Sequence, residues 1–143
     1  MSWDGLLSAW GKLGGSLLEI YVLETNFTDW VKALESLKAA GYRYTLTTDG
    51  KLIEQLEETA FTEREDSWTV LEVLVGDQVW TSSLPSTYFI DLQGDPRLIT
   101  NERHVLEVQT LMRVLHQAIG KPVVLVPETL EPSVTPPYWT VSP

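Results

Sequence analysis

The side chains that usually carry chemistry are few in this sequence and poorly spaced for it. The two histidines, His104 and His116, fall in one apolar-periodic stretch that reads as a helix. Standing 12 positions apart, they would be separated by roughly 18 Å along the axis and about 120° around it. One metal ion cannot take both from a single chain, and no HExxH spacing is present. His116, close to the end of that stretch, more simply complements the negative pole of the helix dipole. Cysteine is absent, which excludes disulfides, thiolate zinc sites and a cysteine nucleophile. Gly11-Lys12-Leu13-Gly14-Gly15 has its lysine ahead of the closing glycines and a strand-like run behind it. That is the wrong order for a phosphate loop, and neither GxGxxG nor GxSxG occurs. No metal, cofactor or catalytic residue is expected, and a non-enzyme is favoured over an enzyme.

Carboxylates are the abundant functional groups: 20 acids stand against 10 bases, a net charge of −10. Asp49, Asp91 and Asp95 lack the alternating spacing of a calcium loop. Glu19, Glu24 and Glu72 lie in strand-like runs. A glutamate buried there would have a raised pKa and become a general-acid candidate; the simpler expectation is that each points to solvent. Glu54, Glu57, Glu58, Glu63, Glu65 and Asp66 crowd around Arg64 alone. Such a segment is a solvated loop, a docking surface for a basic partner or a metal site. Glu57, Glu58, Glu63, Glu65 and Asp66 are therefore the acidic partner-binding candidates.

Aromatic residues supply the other candidates. Of six tryptophans, Trp30 and Trp68 read as core, whereas Trp3, Trp10 and Trp139 lie towards the ends. Aromatics are enriched at interface centres, so Trp3 and Trp10 join the partner-binding set. Tyr42, Tyr44, Trp80 and Tyr88 could instead line a small-molecule pocket between a sheet and its helices.

The elements that must position these residues follow from periodicity. Trp3, Leu6, Leu7, Trp10 and Leu13 share one helical face, and Gly14-Gly15 forms a hinge. Residues 16–24 read as a strand. Asn26 caps a helix, with Asp29 placed for a capping box, a stripe through Phe27, Trp30, Val31, Leu34 and Leu37, and Gly41 as its stop. Residues 42–48 alternate as a strand, and Asp49-Gly50 is a hairpin turn. Residues 51–57 fit a strand or a helical turn. The nearly continuous apolar run 67–75 predicts a central strand covered on both faces. Gly76-Asp77 turns the chain into strands at 78–84 and 87–92. The longest helix spans 100–119, with a stripe wider than a coiled-coil seam, and Gly120 stops it before a last strand at 123–126. Five prolines among the final 17 residues predict an extended tail whose Tyr138, Trp139 and Val141 fold back into a groove.

Strands and helices do not alternate strictly, which disfavours a doubly wound sheet. The expected fold is α+β: an antiparallel or mixed sheet of about five to six strands with two main helices on one face. A short N-terminal amphipathic helix and hinge (1–15), one α+β domain (16–127) and a Pro-rich tail (128–143) divide the chain. The length, 143 residues, suits a single such domain.

Composition narrows the function. Lys and Arg are scattered, so the basic footprint of a nucleic-acid binder is missing. No run approaches the ~18 apolar residues of a membrane span, and Asp4 sits where a secretory leader would be basic. The polar side of the 3–13 stripe offers only Lys12 beside Asp4, a poor match to anionic lipid. Neither nucleic acid nor membrane is expected as a partner, and the lack of cysteine suits the cytoplasm. The expectation is a non-enzymatic acidic interaction domain, of the inhibitor, immunity or adaptor kind. It would dock a basic or apolar protein partner, a second copy of itself included. The rival expectation is a small-molecule-binding domain or enzyme with a pocket between sheet and helices.

Overall fold

The computed structural model describes residues 17–61, 68–127 and 139–141. In chain order these form β1 (Leu18–Leu23), α1 (Phe27–Ala39), β2 (Arg43–Thr48), β3 (Lys51–Ile53), β4 (Thr69–Val75), β5 (Gln78–Ser82), β6 (Phe89–Gly94), α2 (Glu102–Ile119), β7 (Val123–Pro127) and β8 (Trp139–Val141). Short 3-10 turns occur at Glu58–Ala60 and Pro96–Leu98.

Local chemistry sets the helix ends. The Asn26 side chain accepts the Asp29 N–H at 2.9 Å, and the Asp29 carboxylate accepts the Asn26 N–H at 3.2 Å. This reciprocal box satisfies two donors that the first turn of a helix otherwise orphans. Lys121 Nζ reaches Asp29 Oδ2 at 3.2 Å and also the Glu24 carbonyl, so the loop after α2 is tied to the start of α1. Asn101 caps α2 through the His104 N–H, and Gly120 ends it at φ +78°, a left-handed conformation that favours glycine.

The strands form one sheet in the order β3-β2-β4-β5-β6-β1-β7-β8. Every neighbouring pair is antiparallel. The sheet has eight strands rather than five to six, because both edges carry three-residue strands too short to show a period. Within 51–57 only Lys51–Ile53 is strand. In the Pro-rich tail, Trp139–Val141 pairs with β7, and Trp139 and Val141 pack against the core. The remainder of that tail and the 1–15 segment lie outside the described residues. Among the described residues, no helix is long and apolar enough to cross a membrane.

Both helices cover one face of the sheet. Trp30, Leu34 and Leu37 of α1 and Val108, Leu111, Met112 and Leu115 of α2 share a core with Leu18, Ile20, Ile90 and Leu92. Trp30 is anchored further by its indole N–H, which donates to the Ser86 and Phe89 carbonyls at 3.2 Å each. Across the middle of this face, β pairing aligns Tyr44, Val73, Trp80, Gly94 and Leu18 in one row. The Trp80 ring lies over Gly94: a Cβ there would meet ring carbons at 2.7 Å. Trp80 therefore requires glycine as its neighbour.

Two expectations about β4 need correction. It is covered on one face only, its burial alternating along the strand. The apolar run at 67–75 reflects an exposed apolar patch, not a second cover. Trp68, expected in the core, is 69% exposed.

Gly94→Ala is expected to destabilise the fold by about 1–3 kcal/mol through overpacking against Trp80. Trp68→Ala should stay within about 0.5 kcal/mol, as exposed substitutions do. Urea unfolding of the two variants measures both.

Candidate functional site

The sheet face turned away from the helices carries the chemistry. Cross-strand pairing aligns Thr45, Glu72, Thr81, Gln93, Glu19 and Val126 in one row across six strands. Residues directly opposite one another share a face, so these side chains are neighbours. Exposure falls steadily along the row. Thr45 and Glu72 are exposed, Thr81 and Gln93 are half-buried, Glu19 is 4% exposed and Val126 is fully buried.

At the buried end lies a carboxyl pair. The Gln93 amide donates to Glu19 Oε1 at 2.6 Å. Glu19 Oε2 is buried and has no hydrogen-bond partner among the described residues. Asp91 pairs with Tyr21 and is thus the diagonal neighbour of Glu19, a relation that puts the two residues roughly 7–8 Å apart. The described β5–β6 pairing consists of Trp80 with Gly94 and Thr81 with Gln93. Beyond it, the Ser82 hydroxyl donates to Asp91 Oδ1 at 3.0 Å and accepts the Leu84 N–H at 3.1 Å. Burial pushes the Asp91 carboxyl up to about 6 and the Glu19 charge adds to that rise, against the Ser82 hydrogen bond, which lowers it. The pair can hold a proton near neutral pH or bind a cationic group. The Ser82 hydroxyl is turned to a carboxylate with no histidine beside it among the described contacts, so the arrangement is not an activated nucleophile. Among the described residues, no group of three His, Asp or Glu side chains is placed to hold a metal ion.

The other half of the same face is open and carries exposed apolar side chains among polar ones. Leu52 pairs with Thr47, which pairs with Val70; Leu74 pairs with Val79. Leu52 is 74% exposed; Leu74 and Val79 are exposed on the same face, on the far side of the Thr45–Glu72–Thr81 row. Trp68 is pinned at the margin: its N–H donates to Asp49 Oδ1 at 3.0 Å, and its carbonyl accepts the Asp49 N–H at 2.9 Å. Strand alternation continues its side chain onto the same surface. A shallow depression there is lined by Arg43, Tyr44, Thr45, Glu72 and Leu74.

The residues singled out from the sequence are distributed differently. Glu57 and Glu58 are exposed at the 3-10 turn that follows β3, while Glu63, Glu65, Asp66, Trp3 and Trp10 lie outside the described residues. Tyr42, Tyr44, Trp80 and Tyr88 do not gather around one cavity. Trp80 is core, its indole N–H donating to Gln78 Oε1, and the Gln78 amide donates in turn to the His104 carbonyl, each at 3.1 Å. Tyr44 lies in the same row two strands away, with Val73 between, and Tyr42 is half-buried near Glu107; burial first, then that carboxylate, raises the Tyr42 pKa. Tyr88 is 77% exposed, next to Phe89 at the opposite end of β6 from Gly94. His104 and His116 stand apart, the first receiving the Thr100 N–H at Nδ1 and the second facing the Lys121 carbonyl.

Glu19 is buried, against the simpler expectation that it points to solvent, and the sequence marks Asp91 only as lacking calcium-loop spacing. Both sit between apolar neighbours, Leu18 and Ile20 on one side and Ile90 and Leu92 on the other. Alternation could have assigned each carboxylate to the face opposite the core. Only the sheet order brings them together. Compared with family models, curated proteins and solved structures, the chain matches none.

Asp91 titrates higher in the folded protein, about 6, than its ordinary value of 3.8. The folded state therefore binds this proton more tightly than the unfolded one. The resulting stability is present at low pH and is lost as pH rises through about 6. Asp91→Asn keeps the acceptor for Ser82 and removes the charge. It should gain up to about 3 kcal/mol relative to wild type above pH 6 and lose that advantage towards pH 4. Melting curves of both proteins from pH 4 to 8 measure this; parallel curves would contradict it.

Proposed function

We propose that the protein is a non-enzymatic acidic interaction domain that docks a basic protein partner on the open half of its helix-free sheet face. One observation carries the reading: exposed apolar side chains around Trp68 and Leu52, with Glu72 on the same face, on a chain of net charge −10. Large exposed apolar side chains gathered on one face mark interaction sites, and tryptophan is enriched at the centres of such sites. The acidic connector immediately precedes Trp68 in sequence. Long-range attraction would steer a basic partner towards it. The lack of cysteine supports action in the reducing cytoplasm.

A second reading is a small-molecule site or an enzyme using Asp91 as an acid. It is favoured by the raised Asp91 pKa beside Glu19 and opposed by the burial of both carboxyls.

The test is kinetic. A protein captured from the native host is purified, and its association is measured with wild type, Trp68→Ala, and Glu57→Lys/Glu58→Lys/Glu72→Lys. The charge reversal should slow association by about tenfold at low salt, an effect that shrinks as salt rises. Trp68→Ala should accelerate dissociation by roughly 30-fold, as loss of a central aromatic costs about 2 kcal/mol. Binding indifferent to both variants and to salt would refute this surface. Self-association lost in the same variants would identify a second copy as the partner.

A further inference from the structure

The sparsest pairing in the sheet lies in its middle. β5 and β6 are joined by two residue pairs, Trp80 with Gly94 and Thr81 with Gln93, whereas β1 and β6 pair over six residues and β4 and β5 over five. This seam separates the open half of the helix-free face from the buried one. Beyond it, a relay of side-chain bonds replaces the ladder. The Leu84 N–H donates to Ser82 Oγ at 3.1 Å, and that hydroxyl donates to Asp91 Oδ1 at 3.0 Å. Leu84 holds φ +54°, a left-handed conformation that a bulky side chain adopts only under strain. Further along, the Trp30 indole N–H fixes the Ser86 carbonyl at 3.2 Å, so movement is confined to the stretch between Ser82 and Ser86.

The carboxyl that closes this relay is buried beside another: Asp91 is 5% exposed and Glu19 4%. Among the described residues, the titratable groups on this face of β1 beside Asp91 are Glu19 and Tyr21. β5 contributes the hydroxyls of Thr81 and Ser82, β6 the Gln93 amide, and β7 only Val124 and Val126. No cation among the described residues pairs with either carboxyl. We propose that the stretch from Ser82 to Pro85 is a pH-sensitive gate: ionisation of Asp91 lifts it from the end of β6 and admits water to the carboxyl pair, and protonation closes it. Closed, the stretch keeps Asp91 from water, and burial, with the Glu19 charge, raises its titration to about 6 from 3.8. Open, Asp91 regains water and its ordinary value. The open form therefore binds this proton more weakly, and its population grows as pH rises towards 6. The Ser82 hydrogen bond favours the charged carboxylate and resists opening; release of the strain at Leu84 assists it. Opening on this side disturbs a seam of two residue pairs, where parting β6 from β1 would break six.

Native-state amide hydrogen exchange of the full chain, corrected for its intrinsic pH dependence, reads this opening at the Leu84 N–H. Opening should be about tenfold more frequent at pH 7 than at pH 5, the change that a rise from 3.8 to about 6 dictates. It should exceed opening at the Leu111 and Val108 amides at least about tenfold at both pH values. Low concentrations of urea should leave it unchanged, because a local opening exposes little surface. Asp91→Asn should abolish the pH dependence. In the wild type, the Asp91 carboxyl carbon, followed by NMR, should titrate over the same interval. Leu84 exchange that matches Leu111 and Val108, or that rises with urea as theirs does, would overturn the proposal in favour of global unfolding. Opening indifferent to pH in the wild type, or a pH dependence that survives Asp91→Asn, would overturn it outright. An Asp91 carboxyl already ionised at pH 5 would do the same.

Discussion

Every strand of an antiparallel sheet presents alternate side chains to its two faces, and both helices of this protein lie on the same one. That asymmetry governs the rest of the structure. On the helical side the strands supply Leu, Ile and Val to a core closed by α1 and α2, with Gly94 giving room to Trp80. On the other side the same strands must place whatever side chains remain, with no helix to receive them among the described residues. The result is one surface with two characters: open over β2–β5, where apolar side chains stand exposed among polar ones, and buried over β6, β1 and β7, where the acid pair lies.

The buried half is costly. A carboxyl whose pKa rises to about 6 on folding makes the folded state less stable at neutral pH than a neutral isostere would. The Ser82 and Gln93 hydrogen bonds offset part of that cost but leave one Glu19 oxygen without a partner among the described residues. Breaches of local consistency of this kind tend to mark functional or switchable positions. The open half breaches a different rule, exposing Trp68 and Leu52 to water. The two breaches lie on one face, over different strands.

Features that depend on a few adjacent residues are legible in the amino-acid sequence. The Asn26–Asp29 box, the Asp49-Gly50 turn with both residues at positive φ, and the Gly120 stop are all of this kind. Features that depend on partners distant in sequence are not. Three-residue edge strands such as β3 and β8 exist because a neighbouring strand offers free hydrogen-bonding groups, and they leave no period to detect. Trp68 reads as core because an apolar run looks the same whether its second face is covered or bare. The alternation around Glu19 and around Asp91 is visible, yet nothing local says that β1 lies beside β6. The acid pair, which is the most unusual chemistry in the described structure, emerges only once the strands are ordered.

The division of the helix-free face into sealed and open halves is tested most directly by methyl NMR with a soluble gadolinium chelate, which broadens resonances in proportion to their solvent access. Leu52, Leu74 and Val79 methyls should be broadened strongly, while the Val126 methyls keep the sharpness of Leu111 and Val108 in the helical core. Val126 methyls broadened as much as those of Leu74 would show that the face is open throughout, contradicting the account.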